Sequence, residues 1–451
     1  FAAQGPGSRR SGPGPAMWLP PAHALRLVAV LSIAAATARI LRKLQGQPEP
    51  LQRPGNRPRR RSHAGDGFWE WLSAAAARVP FDRLPFTPLL TCEPTVSPGV
   101  SVLMRRFDWH FVPLGGYSSH TEGSAAAAFA GCRTLDSLPL RELPPGDPRT
   151  VWAAPHLLHE LLDVAERRFD ARRADRLVVF SANEFPLSVA FGRSGAERNA
   201  TVARLQRYFS RIVYQNKDIH VSNVHLAPMG LSWGYMTAYL HHLHKERTRR
   251  GMADAFMELE GQLRLGLGAK TRGVLASWGR VAGYLDRPST LAEVRHFSAR
   301  GLLYPKSNAS TRVVAEALQS RLALKAWVQT PAARAAAVEL RHIPFLEWWI
   351  ELPRYRFLLS PIGSAVQTAK TIEALLVLTV PIVQPLGFPV YGELLGLGFP
   401  LALVGAWDEI TPAKTAEWWQ ALSPRLESFR RNCLTVDAYW AMYTGQVQRC
   451  T

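Results

Sequence analysis

The residues best suited to chemistry come late in the chain, in the stretch Tyr355 to Val383, YRFLLSPIGSAVQTAKTIEALLVLTVPIV. Arg356 to Ser360 reads as a short apolar strand, and Pro361-Ile362-Gly363-Ser364 separates it from a helical segment, Thr368 to Leu378. A strand that ends at a Gly-containing loop and runs into a helix directs backbone N–H groups and the positive helix end at one spot. Open α/β sheets hold phosphates in this way. Gly363 lets a diphosphate approach the backbone. Lys370 and Glu373 are three apart and share a helix face, so one meets phosphate while the other accepts hydrogen bonds from a ribose diol. The plainer alternative is a surface Lys/Glu pair on a helix whose Ile372, Leu375 and Leu376 face the core.

Such a loop needs a parallel sheet beneath it. Arg176 to Ser181 (RLVVFS) is a run of the kind buried on both faces of such a sheet, a helical segment follows from Ala196 to Phe209, and Arg211 to Gln215 (RIVYQ) reads as the next strand. With a right-handed crossover these make a parallel β-α-β unit. Earlier strands are expected at Ser101 to Met104 and near His110 to Leu114, and a helical stretch runs on from Leu231 to about Leu265. A second series opens with the strand Arg272 to Ser277 and a helix from Pro288-Ser289 through Arg300. It continues with the helix Ser310 to Thr330, the strand Arg356 to Ser360 and the strands Val380 to Gln384 and Leu401 to Gly405. Thr411-Pro412 is a helix start, with Thr as N-cap and Pro in the first turn, feeding Ala413 to Leu422. The fold class predicted is therefore α/β, with two Rossmann-like doubly wound domains facing a cleft.

The order Ser360-Pro361-Ile362-Gly363, helical Glu373, Pro381-Ile382-Val383 and Trp407-Asp408-Glu409-Ile410 resembles the C-terminal core of the exostosin-like glycosyltransferases, a GT-B group. The match covers roughly residues 340 to 412, and Val221 to Leu231 looks like that family's strand leading to a Pro-x-Gly-Leu turn. The resemblance implies a hexosyl- or pentosyltransferase that uses a nucleotide sugar as substrate and requires no cofactor and no metal. Ser360, Gly363, Ser364, Lys370 and Glu373 would form its donor site, and a glycan or glycoprotein would be its acceptor. Three positions depart from the family pattern: Ile362 stands where Arg is usual, Gln367 where an acid is usual, and Lys370 where Arg is commoner. Lys supplies a point charge where Arg supplies a bidentate fork. The alternative implied by these departures is a catalytically degenerate glycan-binding or scaffold relative on the same fold.

An inverting transfer needs a base for the acceptor hydroxyl. Glu184, just past the strand Arg176 to Ser181, is the candidate, with Asp108, His110, His120 and His225 as rivals. His241, His242 and His244 lie too close in sequence to converge on a metal from one helix, since only His241 and His244 share a face.

The 54 Lys and Arg against 35 Asp and Glu give a net charge of +19. Much of the excess lies before the first domain, in Arg9, Arg10, Arg26, Arg39, Arg42, Lys43, Arg53, Arg57 and Arg59 to Arg61. No zinc-finger, RRM or KH pattern frames a nucleic-acid surface, so no nucleic-acid partner is expected. Residues 1–43 form an N-terminal extension in which the apolar run Leu27 to Ala38, bounded by Arg26 and Arg39, reads as a signal peptide or short signal anchor, with membrane anchoring through residues 24–41. Residues 44–67 read as a disordered stem, residues 68–267 as an N-terminal acceptor-side domain, and residues 268–451 as a C-terminal nucleotide-sugar-binding domain with terminal helices. The sequons at Asn199 and Asn308 and the even number of cysteines lean toward the secretory pathway, specifically the Golgi lumen, as a type II membrane protein or a cleaved soluble one. Cys433 and Cys450 are expected to pair.

Overall fold

The computed structural model describes residues 83–87, 103, 106–111, 146–173, 175–181, 186–232, 236, 239, 259–277, 308–363 and 365–451. Twelve short strands alternate with helices along these residues.

In the first half, β1 (Phe86–Thr87), β2 (Trp109–Phe111) and β3 (Thr150–Ala153) precede α1 (Leu158–Arg168). Then come β4 (Leu177–Phe180), α2 (Leu187–Ala190), α3 (Gly195–Gln206), β5 (Arg211–Tyr214), β6 (Val224–Leu226) and β7 (Leu231–Ser232). Strands β2 to β6 form one parallel sheet in the order β2-β3-β4-β5-β6, with Val178 opposite Ile212 and Val151 in the central register. All four residues of β4 are buried, as a run of four apolar residues in a central parallel strand demands. Helix α3 starts on a capping box in which Ser194 Oγ accepts from Glu197 N and the Glu197 carboxylate accepts from Ser194 N. β1 and β7 form a separate parallel pair so close that a Cβ on Gly230 would lie 1.9 Å from Pro85 O, and the position requires glycine.

The second half begins with β8 (Arg272–Ala276) and continues through α4 (Asn308–Trp327), α5 (Pro331–Ala335), β9 (Val338–Leu340), α6 (Trp348–Glu351) and β10 (Tyr355–Leu359). It ends with α7 (Ala369–Leu376), β11 (Val380–Val383), α8 (Val390–Gly396), β12 (Ala402–Leu403), α9 (Pro412–Asn432) and α10 (Val436–Thr444). Its sheet is again fully parallel, but in the order β12-β11-β10-β8-β9. The chain lays down β8, adds β9 on one side and crosses back to add β10, β11 and β12 on the other. This is doubly wound, and its switch point is the gap between the carboxyl ends of β8 and β10. Thr411 Oγ1 accepts from Lys414 N at the start of α9, so the predicted N-cap is in place.

Each face of the first sheet has a different partner. Val151, Val178, Phe180, Ile212 and Tyr214 pack with Leu158, Leu161 and Leu162 of α1 and Val202 and Leu205 of α3 in one cluster. Trp152, Leu177, Val179, Val213 and Leu226 belong instead to the contiguous core that also holds β8, β10 and β11. The alternation of side chains along β3 to β5 thus sends one set to the helices and the other into the core shared by both halves. α10 helps to close that core, with Trp440 edge-on to Phe107. Cys433 and Cys450 are disulfide-bonded as expected, and they tie the last residues to the end of α9.

The structure adds elements that the sequence reading did not anticipate: β3, β9, α1 and α8. Of the strand expected at Ser101 to Met104, only Leu103 is described, and it lies in a turn. The helix expected from Pro288-Ser289 to Arg300 and the histidines at 241, 242 and 244 lie outside the described residues, as do the extension, the stem and the apolar run within residues 24–41. Among the described residues no helix is long and apolar enough to cross a membrane.

Candidate functional site

At the switch point three elements converge. β10 ends at Leu359 and hands over to Ser360, which is buried, its N–H donating to Ile382 O of β11. Ser360 Oγ lies 3.1 Å from Thr368 Oγ1 and 3.0 Å from Thr371 Oγ1, so three hydroxyls gather where the loop becomes α7. Thr368 is the N-cap residue, and its side chain makes no cap hydrogen bond, being occupied with the other two hydroxyls.

Lys370, in the first turn of α7, reaches across the gap. Its Nζ donates to Ser277 O, at the carboxyl end of β8, at 3.0 Å, and sits 4.3 Å from the ring centroid of Trp348. Trp348 Nε1 in turn donates to Glu373 Oε2 at 2.8 Å. The helical spacing therefore does put Lys370 and Glu373 on one face, with the indole between them. Burial holds the Lys370 ammonium down to about 8, the Arg321 guanidinium adding to the effect and Glu373 opposing it. Burial also raises the Glu373 carboxyl above its ordinary range, against the pull of Lys370 and the Trp348 bond.

Two expectations differ from this geometry. Glu373 is buried beneath Trp348 rather than open at the surface, because α7 turns this face toward α6. And the Gly363 N–H, expected to face a diphosphate, donates to Ala365 O at 3.2 Å, so the loop closes on itself. Ser360 and Gly363 flank the switch point, while Ser364 lies outside the described residues.

The sequence reading missed Arg321. It sits on α4, whose Ala317, Leu318 and Leu324 are buried, and it lies at the margin of that apolar stripe. Its Nε donates to Ile362 O at 2.8 Å, and a Cβ placed on Gly363 would stand 3.6 Å from Arg321 Nη2. An arginine at the edge of a helix's buried stripe was the available signal. Trp348 carries no sequence signal beyond that of an aromatic residue fit for a core.

Gln367, at the position where an acid was expected, bolts the halves together. Its Nε2 donates to Gln215 O and Ala227 O, at 2.5 and 2.9 Å, and its Oε1 accepts from Met229 N at 2.8 Å. Beside it, Val366 N donates to Asn216 Oδ1 at 3.0 Å. These partners follow the carboxyl ends of β5 and β6, so the carboxyl ends of the two sheets meet across one seam. Tyr439 and Tyr443 of α10 add hydroxyl bonds to Met229 O and Pro228 O.

Of the candidate bases, Glu184 and His120 lie outside the described residues. Asp108 clasps the start of β3, its Oδ2 accepting from Arg149 N and Thr150 N. His110 lies on β2 opposite Trp152. His225 is on edge strand β6, beside a cleft of about 690 Å³ that Arg211, Lys217 and Glu393 also line. Partial burial and those two cations keep its imidazole below the ordinary range. Among the described residues no group of three His, Cys, Asp or Glu is placed to hold a metal ion.

Two α/β halves, each built on a five-stranded parallel sheet, thus meet at their strand ends across one seam. No protein-family model matches the sequence, and a search of curated proteins finds no match. Among solved structures, an α,α-trehalose-phosphate synthase (UDP-forming) from Burkholderia vietnamiensis is similar, with 12% identity over 68% of this chain and 74% of that one and a TM-score of 0.33.

Proposed function

We propose that the protein is a glycosyltransferase that moves a hexosyl or pentosyl group from a nucleotide sugar to a glycan or glycoprotein in the Golgi lumen. The observation that carries this reading is the doubly wound order of the second sheet. Its switch point falls at the Ser360 to Gly363 loop, where Lys370 reaches Ser277 O. Open α/β sheets bind ligands in that crevice, and a lysine beside hydroxyls suits a diphosphate. Trp348, Ser277 and the hydroxyls of Thr368 and Thr371 would then border the donor. Glu373 acts through Trp348, fixing the indole that supports Lys370. Glu184, which follows β4, is the proposed base. The Cys433–Cys450 disulfide and the exposed Asn199 suit an oxidising, glycosylating compartment.

Incubation of the full chain with a panel of nucleotide sugars and candidate glycan acceptors, followed by measurement of nucleotide release, tests the proposal. Acceptor-dependent release that Glu184→Gln abolishes is expected. A second reading, a glycan-binding or scaffold relative without activity, is favoured by the burial of Glu373 and Ile362 and by the use of Gln367 as a bolt. Glycan binding without nucleotide release would select it.

A further inference from the structure

The cleft of about 690 Å³ runs along β6, the last strand of the first sheet. It lies away from the switch point. Arg211 and Val224, which line it, open β5 and β6, whereas Gln367 meets those strands past their carboxyl ends. Its other walls come from the end of α8, the end of α10 and the segment before Cys450.

The polar groups on these walls are mostly donors. Arg211 Nε donates to Tyr443 O and its Nη2 to Met442 O, which caps the last turn of α10 and leaves Nη1 without a hydrogen bond among the described residues. No carboxylate among the described residues pairs with this guanidinium, and burial holds it below its ordinary range. Glu393 is engaged by Lys217, whose Nζ lies 2.7 Å from its Oε1 and also donates to Val224 O at 2.7 Å. His220, Asn223, His225 and Gln448 complete the polar lining, and their side chains make no hydrogen bond among the described residues. Asn223 sits at φ 63° in a turn closed by Val224 N donating to Val221 O, a conformation that asparagine tolerates. The local field is positive: after burial, Arg211 and then Lys217 depress the His225 imidazole. Beside these groups Val221, Leu397 and Met442 supply an apolar wall.

We propose that this cleft binds a small phosphomonoester, its phosphate held by Arg211 Nη1, His220 and His225 with the amides of Asn223 and Gln448, and its organic body against Val221, Leu397 and Met442. A phosphate ester presents three acceptor oxygens and a charge of about −1.5 to −2 near neutrality, enough to engage donors arriving from β5, β6 and the terminal segment. A carboxylate presents two oxygens and a single charge. The proposal does not depend on the donor-site reading. It carries a pH signature, because a bound phosphate favours the imidazolium form and affinity gained through the histidines grows as pH falls. The charged and titratable groups around His225 are Arg211 from β5, Lys217 and His220 from the loop before β6, and Glu393 from α8, and imidazole is the side chain that ordinarily titrates near neutrality.

The test is calorimetric titration of phenyl phosphate, inorganic phosphate and benzoate into the full chain at pH 6.0 and pH 8.0, and into its double variant His220→Gln/His225→Gln. Both histidines are exposed, so the double variant should fold; if it does not, His220→Gln alone carries the comparison. Phenyl phosphate is expected to bind more tightly than inorganic phosphate, through the apolar wall, and more tightly than benzoate. At pH 6.0 the double variant should bind phenyl phosphate roughly ten-fold more weakly than the parent, and at pH 8.0 less than about two-fold more weakly. The ligand's own titration is common to both proteins and cancels in the ratio. Lys370→Met, at the switch point, should match the parent. Equal affinity in parent and double variant at pH 6.0 overturns the proposal, as does a parent that binds none of the three compounds. Inorganic phosphate or benzoate binding as tightly as phenyl phosphate overturns the assignment to a phosphomonoester. Binding lost in Lys370→Met but kept in the histidine variant would place the phosphate at the switch point instead.

Discussion

In the first sheet, β2 to β6 lie side by side in the order in which the chain makes them, whereas in the second the chain begins inside the sheet at β8 and winds outward both ways. Both are five-stranded and parallel, and the central strands of each are runs of mainly buried apolar residues. Right-handed crossovers that always step in one direction send their helices to one face, and α1 and α3 do share one cluster with that face of the first sheet. The opposite face merges with the core of the second half. Winding both ways instead parts two neighbouring strand ends, and there Lys370, Ser277 and Arg321 assemble. Equal alternation of strand and helix thus yields two different strand orders, and of the two only the second parts neighbouring strand ends.

The largest expected effect comes from breaking the seam that joins them. Gln367→Glu replaces an amide donating to two carbonyls with a carboxylate that donates to neither and brings an unpaired charge into a buried site, which should cost about 3 kcal/mol or more in denaturant unfolding. A protonated acid restores one donor. The folded-state pKa of this acid is raised, so the loss should deepen as pH rises through neutrality and shrink in acid. An unchanged unfolding midpoint at pH 8 would show that the halves do not depend on this bolt.

Next is the terminal strap. Cys433 and Cys450 enclose a loop of sequence separation 17, and removing the link by Cys450→Ser should lower stability by about 3 kcal/mol on the loop-entropy estimate. The loss should fall on both halves together, because α10, which bonds to Met229 and Pro228, lies within the loop. Separate melting of the two halves in a calorimetric scan, with the parent showing one transition, would contradict this. Non-reducing peptide mapping of the parent should show the pair linked.

Within the second half alone, Glu373→Ala leaves Trp348 Nε1 without its acceptor in a buried site, a loss of about 1–3 kcal/mol. Glu373→Gln keeps an acceptor and should lose less than half of that. Thermal denaturation of the two variants checks the ranking, and equal melting temperatures would mean that Trp348 takes another partner.

The comparison also shows what the sequence could disclose. The strands Arg176 to Ser181, Arg211 to Gln215, Arg272 to Ser277 and Arg356 to Ser360 were legible because a buried parallel strand is a continuous apolar run, and Thr411-Pro412 because capping is local chemistry. β9 was not legible, since Val338-Glu339-Leu340 is too short and too mixed to stand out from the helical surroundings of α4 and α5. Strand order is not local at all, and so the feature that separates the two halves was invisible. The co-facial Lys370 and Glu373 followed from helix geometry, but the indole between them comes from α6. Arg321 comes from a helix some fifty residues before α7, and a chain reading has no means of bringing it to Gly363. Gln367 stands out in the sequence only as a departure from an acid, while its use as a bolt depends on carbonyls about 140 residues earlier.

The smallest effect separates crevice from scaffold through pH. Lys370 is held down to about 8 from an ordinary 10.5, chiefly by burial. The ligand-free folded protein therefore binds fewer protons than the unfolded chain between those values, and the contribution of Lys370 to stability rises with pH through that window. Diphosphate affinity has the opposite sign. A phosphate partner favours the charged amine, so affinity should be level below about pH 7 and decline above pH 8, by up to about tenfold per unit. Lys270 is buried against Val377 O and Thr379 and is held down to about 6, so it adds a stability rise of the same sign that begins at lower pH. The Lys370 part is read as the difference between parent and Lys370→Met in thermal melts at pH 7 and pH 9.5, alongside calorimetric titration of the diphosphate at the same values. Opposite slopes in the parent, both flattened in Lys370→Met, are the expected outcome. Affinity that holds constant up to pH 9.5 would mean that the ammonium of Lys370 serves the gap between β8 and β10 rather than a ligand.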